Sequence, residues 1–307
     1  MKNLKTKQIL ITGTVAFDEV ETPTGRSGKI IGGAGTYIGI AASLLTNKLA
    51  LVSIIGEDFP KKEIDFLNQK NIDTSMIEVV SGGKTFYWKG KYHDNMISRD
   101  TIFTELNVLE KFKPIISNEY KNSEIILLGN LHPLVQEDAI SQSLNPDAFI
   151  ILDTMNFWMD NAWEDLQSVI KKTNLIIIND EEAEQLTKKK NIFNAADKIL
   201  KMGPTYVIIK KGEHGSLFVS NENKYLLPAY PVTRLIDPTG AGDSFAGGIA
   251  GYLANQKDIS FDIIKKGMIY GTLFASFCVE SFGVEGLRTL DSKKLEERFK
   301  IFKSYLT

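Results

Sequence analysis

The chain of 307 residues has one cysteine, three histidines and almost no surplus of charge of either sign. A lone cysteine, Cys278, excludes an intrachain disulfide framework and suits a reducing compartment. It lies in the apolar stretch Leu273–Val279 and reads as buried filler. The histidines, His93, His132 and His214, are scattered and form no His-Glu-x-x-His pattern, so a structural zinc site is not expected. A net charge of −2 leaves no electrostatic footprint for nucleic acid or an acidic membrane. The run Lys188–Lys190 reads as a solvated helix end. No apolar run is long enough to span a bilayer, and Met1–Gln8 leads into too few apolar residues for a signal peptide. A cytoplasmic protein is expected. There is no linker, repeat or low-complexity tract, and 43% hydrophobic content can bury a sizeable core, so residues 1–307 read as one domain.

What is present is an alternation. Ile9–Thr12, Leu49–Ile55, Glu124–Leu128, Phe149–Leu152, Leu175–Ile178 and Tyr206–Ile209 are short, continuous apolar runs, as expected of strands buried on both faces. Helix-period segments lie between them, at Thr36–Leu45, Lys61–Lys70, Val135–Ser143, Asn161–Lys171, Asp180–Leu186 and Phe193–Lys201. Strand–helix alternation with right-handed crossovers predicts an α/β fold with a mostly parallel sheet covered by helices. The helical C-terminal third, Ala241–Tyr305, packs on one side. Two segments break the pattern. Val15–Ile31 is polar and extended, broken by Pro23, Gly25 and Gly28, and Thr85–His93 carries aromatics on both faces. They are expected to pair as a small antiparallel sheet outside the core.

Residues 237–248 read Asp-Pro-Thr-Gly-Ala-Gly-Asp-Ser-Phe-Ala-Gly-Gly. A bare glycine turn opening a helix aims several N–H groups at one spot, with the helix dipole behind them, and such a spot binds anions. Asp243 beside it would be repelled by an anion, and a base that deprotonates an attacking hydroxyl explains its presence. A helix start with an N-terminal Asp is the plainer explanation of the same residues. Other glycine signals fail. Gly82-Gly83-Lys84-Thr85 ends like a P-loop, but Glu78 stands where its first glycine belongs, and Gly33-Ala34-Gly35 meets Ile38 where a dinucleotide fingerprint needs glycine.

The run at 237–248 resembles the C-terminal signature of the ribokinase-like, or pfkB, family of carbohydrate and nucleoside kinases, departing only at Pro238, where that family more often has threonine. Ile31–Leu45 resembles its N-terminal signature, in which Gly32 and Gly33 let the acceptor approach the backbone; Tyr37 stands where asparagine is usual. The resemblance runs from Gly13 to about Gly286. It implies a three-layer α/β/α ribokinase-like fold with a small β lid, from about 15–31 and 81–100, that covers the acceptor and in several members joins two subunits, so a homodimer is expected. It implies an ATP-dependent kinase acting on a hydroxymethyl group of a sugar, or alternatively of a nucleoside. A non-catalytic sugar or nucleotide sensor of the same fold is disfavoured by the intact Asp243.

The same resemblance assigns roles. Asp243 is the base, with Gly240, Ala241, Gly242 and Asp243 forming the anion hole through their N–H groups. Asp18 at a strand end takes acceptor hydroxyls, with Tyr37, at the usual asparagine position, as an aromatic contact; Asn130, from its place after the strand end Leu127–Gly129 and not from the resemblance, is a further acceptor candidate. Asn179 and Glu182, in Asn-x-x-Glu, lie near Mg²⁺ and the phosphates, although a helix N-cap fits them equally. Lys211 and Gly212 lie along the nucleotide. Asp237 and Thr239 are ligands of a monovalent cation, K⁺, with the loop Cys278–Gly283 completing it. Asp153–Asn156 ends another strand at the same sheet edge, and Arg99 either reaches an acceptor from near the lid or pairs with Asp100 or Glu105.

Overall fold

A computed structural model describes residues 6–306. Of Met1–Gln8, the first five residues lie outside the described part, as does Thr307. The strands are Ile9–Thr12 (β1), Ala16–Thr22 (β2), Gly25–Gly32 (β3), Leu49–Gly56 (β4), Ile72–Asp73 (β5), Ile77–Val80 (β6) and Tyr87–Tyr92 (β7). They continue with Arg99–Glu105 (β8), Ile125–Leu128 (β9), Phe149–Leu152 (β10), Leu175–Asn179 (β11), Tyr206–Lys210 (β12), Ser216–Val219 (β13) and Lys224–Leu227 (β14). The helices are Ala34–Ser43 (α1), Lys61–Gln69 (α2), Pro133–Ser141 (α3), Asn156–Asn161 (α4), Trp163–Lys172 (α5) and Asp180–Thr187 (α6). Ile192–Leu200 (α7), Ala241–Ala254 (α8), Phe261–Cys278 (α9), Glu285–Arg288 (α10) and Ser292–Tyr305 (α11) complete the set. Among the described residues no helix is long and apolar enough to cross a membrane.

The main sheet runs β14-β13-β12-β11-β10-β9-β1-β4-β5, with β6 also on β4. Its centre is parallel: Ile9 of β1 faces Leu49 of β4 on one side and Ile125 of β9 on the other. Only the β13–β14 end is antiparallel. The apolar runs alternate between two cores. Ile9, Ile11, Leu49, Leu51, Ile125 and Leu127 face α1, α8 and α9, while Leu10, Ala50, Val52, Ile126 and Leu128 face α3, α5, α6 and α7. Both faces are therefore dry, which is why the strands carry no polar alternation.

From β1 the chain goes to β4 and one edge, then returns to β9 on the other side of β1 and continues to the opposite edge. The direction of winding reverses beside β1, and the carboxyl ends of strands open into a crevice at such a point. Gly13–Asp18 leaves β1 there.

A second sheet, β3-β2-β7-β8, stands apart. It differs from the wholly antiparallel pairing expected, since β2 and β7 run parallel, Asp18 beside Trp88. Both strands leave the main body from the same level, Phe17 N–H bonding the Phe86 carbonyl at 2.9 Å, so they set out in the same direction. The segment 81–100 also reaches further than expected, because β8 extends to Glu105.

Candidate active site

The glycine turn and its helix are built as the sequence suggests. Gly240 is left-handed (φ 77°) and caps α8, which begins at Ala241. Ala241 N–H bonds the Pro238 carbonyl (3.2 Å) and Ser244 N–H bonds the Gly240 carbonyl (2.8 Å). Of the expected quartet of N–H donors, Ala241 is engaged by the tight Pro238 turn, which leaves Gly240, Gly242 and Asp243. Asp243 Oδ1 is buried without a hydrogen-bond partner. Burial, and then the negative charge of Asp153, push its carboxyl up to about 7, against the pull of Lys210 and Arg99.

Three strand ends supply the groups around it. Asp153 follows β10, Glu182 sits in the first turn of α6 after β11, and Lys210 ends β12. Lys210 Nζ stands 3.4 Å from Asp153 Oδ1. Burial raises Asp153, with Lys210 opposing, and raises Glu182 to about 7, again against Lys210. Asn179 and Glu182 form a reciprocal capping box: Glu182 N–H bonds Asn179 Oδ1 (2.7 Å) and Asn179 N–H bonds Glu182 Oε2 (2.8 Å). The plain N-cap explanation thus holds in full, and it fixes a buried carboxylate at the same time. Lys211 closes the next turn, its N–H on the Gly215 carbonyl at 2.8 Å. Gly212 is left-handed (φ 52°) with open space where a side chain would be.

The acceptor candidates divide. Asp18 is 5% exposed and its carboxylate lies over Gly32, beside the Gly33 N–H. Burial holds it up at about 7, with Asp237 and Asp243 adding to the rise. Tyr37 requires correction. It is 1% exposed, its ring packed under Gly240, so it offers no open face to an acceptor. Helix α1 is buried on every side, and a ring in its first turn has only the core to enter. The Tyr37 hydroxyl is buried without a hydrogen-bond partner. Asn130 is also committed elsewhere: its Oδ1 accepts from Trp158 Nε1 (2.8 Å) and its Nδ2 donates to Met155 Sδ (3.0 Å).

Asp237 is fully buried and its two oxygens accept from Thr239 N–H (2.9 Å) and Gly283 N–H (3.1 Å). Its carboxylate therefore ties the glycine turn to the 279–283 loop, and the Thr239 hydroxyl bonds the Tyr92 hydroxyl at 3.2 Å. Among the described residues no three His, Cys, Asp or Glu are grouped to hold a metal ion.

On the second sheet, Trp88 and Tyr92 share the face that carries Asp18 and meets Thr239, whereas Tyr87 points the other way and bonds Glu19 (2.6 Å). Arg99 lies over Trp88 and Tyr92, 5.9 and 6.0 Å from the ring centres, and its charge is felt by Asp243 and Glu182. It does not pair with Asp100, which takes His93 at 3.0 Å. Sequence reasoning missed Lys210 and Tyr92. The Lys210-Lys211 doublet ending a buried strand was the available signal for the first.

The pfkB family carbohydrate kinase model matches residues 7–288. The cytidine kinase of Thermococcus kodakarensis is 27% identical over 249 residues, covering 80% of this chain and 88% of the relative. The solved nucleoside kinase of Methanocaldococcus jannaschii superposes with a TM-score of 0.77 at 22% identity, over 97% of this chain and 99% of that one. A candidate ribokinase II from E. coli, solved in complex with ATP and Mg²⁺, superposes at 0.80 and 18% identity, over 96% and 99%.

Proposed function

The chain belongs to the pfkB family of carbohydrate kinases, and we propose on that premise that it transfers the γ-phosphoryl group of ATP to a hydroxymethyl group of a sugar or nucleoside. The observation that carries this is Asp243: a carboxylate in the first turn of α8, beside a left-handed Gly240, with one oxygen buried and unpartnered. Asp243 takes the proton of the acceptor hydroxyl as that oxygen bonds phosphorus and the bridging bond to ADP breaks. The N–H groups of Gly240, Gly242 and Asp243 receive charge on the transferring group. Each such preorganised donor is worth about 3–4 kcal/mol by analogy with other oxyanion sites.

Asp18 holds a pair of acceptor hydroxyls, and the β3-β2-β7-β8 sheet closes over them as a lid. Gly212, with open space beside it, lines the nucleotide. Mg²⁺ fits the donor set. Glu182, fixed by its capping box with Asn179, is a hard oxygen donor that would meet Mg²⁺ through water, beside the phosphates of the nucleotide. When bound, it neutralises phosphate charge. K⁺ beside Asp237 and Thr239 would steady the turn, using oxygens of the 279–283 loop. A second copy of the chain covers Ile102 and Phe103, which are exposed on β8.

One observation favours a nucleoside over a free sugar: Trp88 pairs with Asp18 across neighbouring strands and shares its face, a ring on which a base stacks. That agrees with the relative named a cytidine kinase. ADP release measured over a panel of sugars and nucleosides with Mg-ATP tests both parts. No acceptor-dependent ADP release would sink the kinase reading, and turnover of free sugars alone would sink the nucleoside.

A further inference from the structure

Lys210 is turned inward at the end of β12, its side chain 19% exposed. Among the described residues its one hydrogen bond is to Asp153, and at 3.4 Å that bond is long. An ammonium carries three donors, so most of its capacity is unused. On its other side stands α8: a β-carbon at Gly242 would lie 2.7 Å from Nζ. The ammonium thus abuts the first turn of a helix, where unpaired N–H groups already concentrate positive charge. Cations favour the other end of a helix. Asp153, Glu182 and Asp243, the last in that same first turn, offset its burial and keep it protonated, yet only Asp153 bonds it, and at the long distance already given.

We propose that Lys210 is a catalytic residue: it leaves Asp153 and bonds the terminal phosphoryl group of the bound nucleotide, joining the N–H groups of Gly240, Gly242 and Asp243. The assignment rests on the kinase reading. Lys210 stays protonated throughout, and no bond to its nitrogen forms or breaks. Asp153 is a positioning residue that holds the ammonium against Gly242 until nucleotide arrives. Glycine at 242 is needed because any side chain there would push the ammonium away.

Calorimetric titration with ATP and with ADP, at fixed Mg²⁺ and without acceptor, tests this apart from turnover. Lys210→Met should weaken ATP binding about ten- to hundredfold while ADP stays within about twofold, because the lost partner is the group ADP lacks. Lys210→Met leaves three carboxylates uncompensated, so the charge-balanced Lys210→Met/Asp153→Asn is measured beside it and should show the same selective loss. Equal loss for both nucleotides in the double variant, or none, would overturn the assignment. A wild-type protein that binds neither nucleotide overturns the kinase reading and this one with it. A wild type that phosphorylates an acceptor, while the double variant keeps its preference for ATP, overturns Lys210 alone.

Discussion

The carboxylate of Asp18 occupies the space that a side chain at Gly32 would fill: a β-carbon there would overlap Oδ2. The two residues sit on neighbouring strands of the second sheet, Ala16 opposite Gly32 and Asp18 opposite Ile30, so strand pairing itself puts the glycine under the acid. Gly32→Ala should therefore displace the Asp18 carboxylate without touching the nucleotide side. Losing a hydrogen bond to a charged group is worth about 1.5–3 kcal/mol, or roughly ten- to hundredfold in acceptor kcat/KM. Kinetics with acceptor and ATP varied separately decide it. A variant normal toward acceptor but impaired toward ATP would mean that the two sites are reversed.

Asp243→Asn should lower kcat by roughly 10²–10⁴-fold and leave ATP binding within a few-fold, because the lost group acts on the acceptor proton. In the wild type, burial and Asp153 hold the Asp243 carboxyl at about 7, and a base must be deprotonated to act. Acceptor kcat/KM is expected to rise with pH to a plateau above about 7. Near-normal turnover by the variant, or a flat profile, removes Asp243 as the base.

The unliganded protein should lose stability as pH rises from about 4 to about 7. Asp18, Glu182 and Asp243 have ordinary values of 3.8, 4.5 and 3.8, and each is raised to about 7 in the folded chain. Within that window the folded state keeps protons that the unfolded chain has released, so the slope of stability against pH is negative. Thermal melts should show a higher Tm at pH 5.5 than at pH 8, and Asp18→Asn should flatten the difference. The opposite slope would show that these carboxylates are ionised in the free protein.

Trp88→Ala separates the acceptor classes. Stacking of a base on an aromatic ring is worth about 1–3 kcal/mol, so KM for a nucleoside should rise roughly 5- to 150-fold while a free pentose is unaffected. An equal change for both would make Trp88 a support of the sheet and not a base platform.

At equal ionic strength, turnover in K⁺ should exceed turnover in tetramethylammonium severalfold. Asp237 already joins the glycine turn to the 279–283 loop through Thr239 and Gly283, and a cation bound there would reinforce the link. Equal rates in the two salts would remove the monovalent site.

Much of this was legible in the sequence because burial on both faces leaves a plain mark. β1, β4 and β9–β12 are continuous apolar runs, and the Gly240–Asp243 turn has one backbone solution. β8 was missed because Arg-Asp-Thr-Ile-Phe-Thr-Glu is largely exposed and carries no burial pattern. β13 was missed because Ser-Leu-Phe-Val opens on a serine and gives only three apolar residues in a row, and β14 because Lys-Tyr-Leu-Leu buries only its last residue and so carries no burial pattern. The expected helix over Asn161–Lys171 is α5, begun two residues later, and the short α4 before it was missed, since no glycine or proline announces the break at Ala162. The parallel pairing of β2 with β7 depends on where the chain re-enters, which is not local information. Site roles fail for a related reason. Nothing in Lys210-Lys211 tells which lysine turns inward, and nothing in α1 tells that Tyr37 has core on every side.

Helices α1 and α8 approach with almost nothing between them. A β-carbon at Gly247 would overlap the backbone of Ile38, and one at Gly251 would lie 2.9 Å from the Ala42 carbonyl oxygen. The first of these helices begins at Gly33, beside Asp18; the second begins at the Gly240 turn and carries Asp243. Their separation is set by backbone contact, with no side chain available to lengthen or shorten it by small steps. A lineage of such proteins could not retune its choice of acceptor by adjusting that gap. Drift toward a new substrate would instead run through residues such as Trp88 and Arg99 on the outlying sheet, which can be exchanged without unpacking the body.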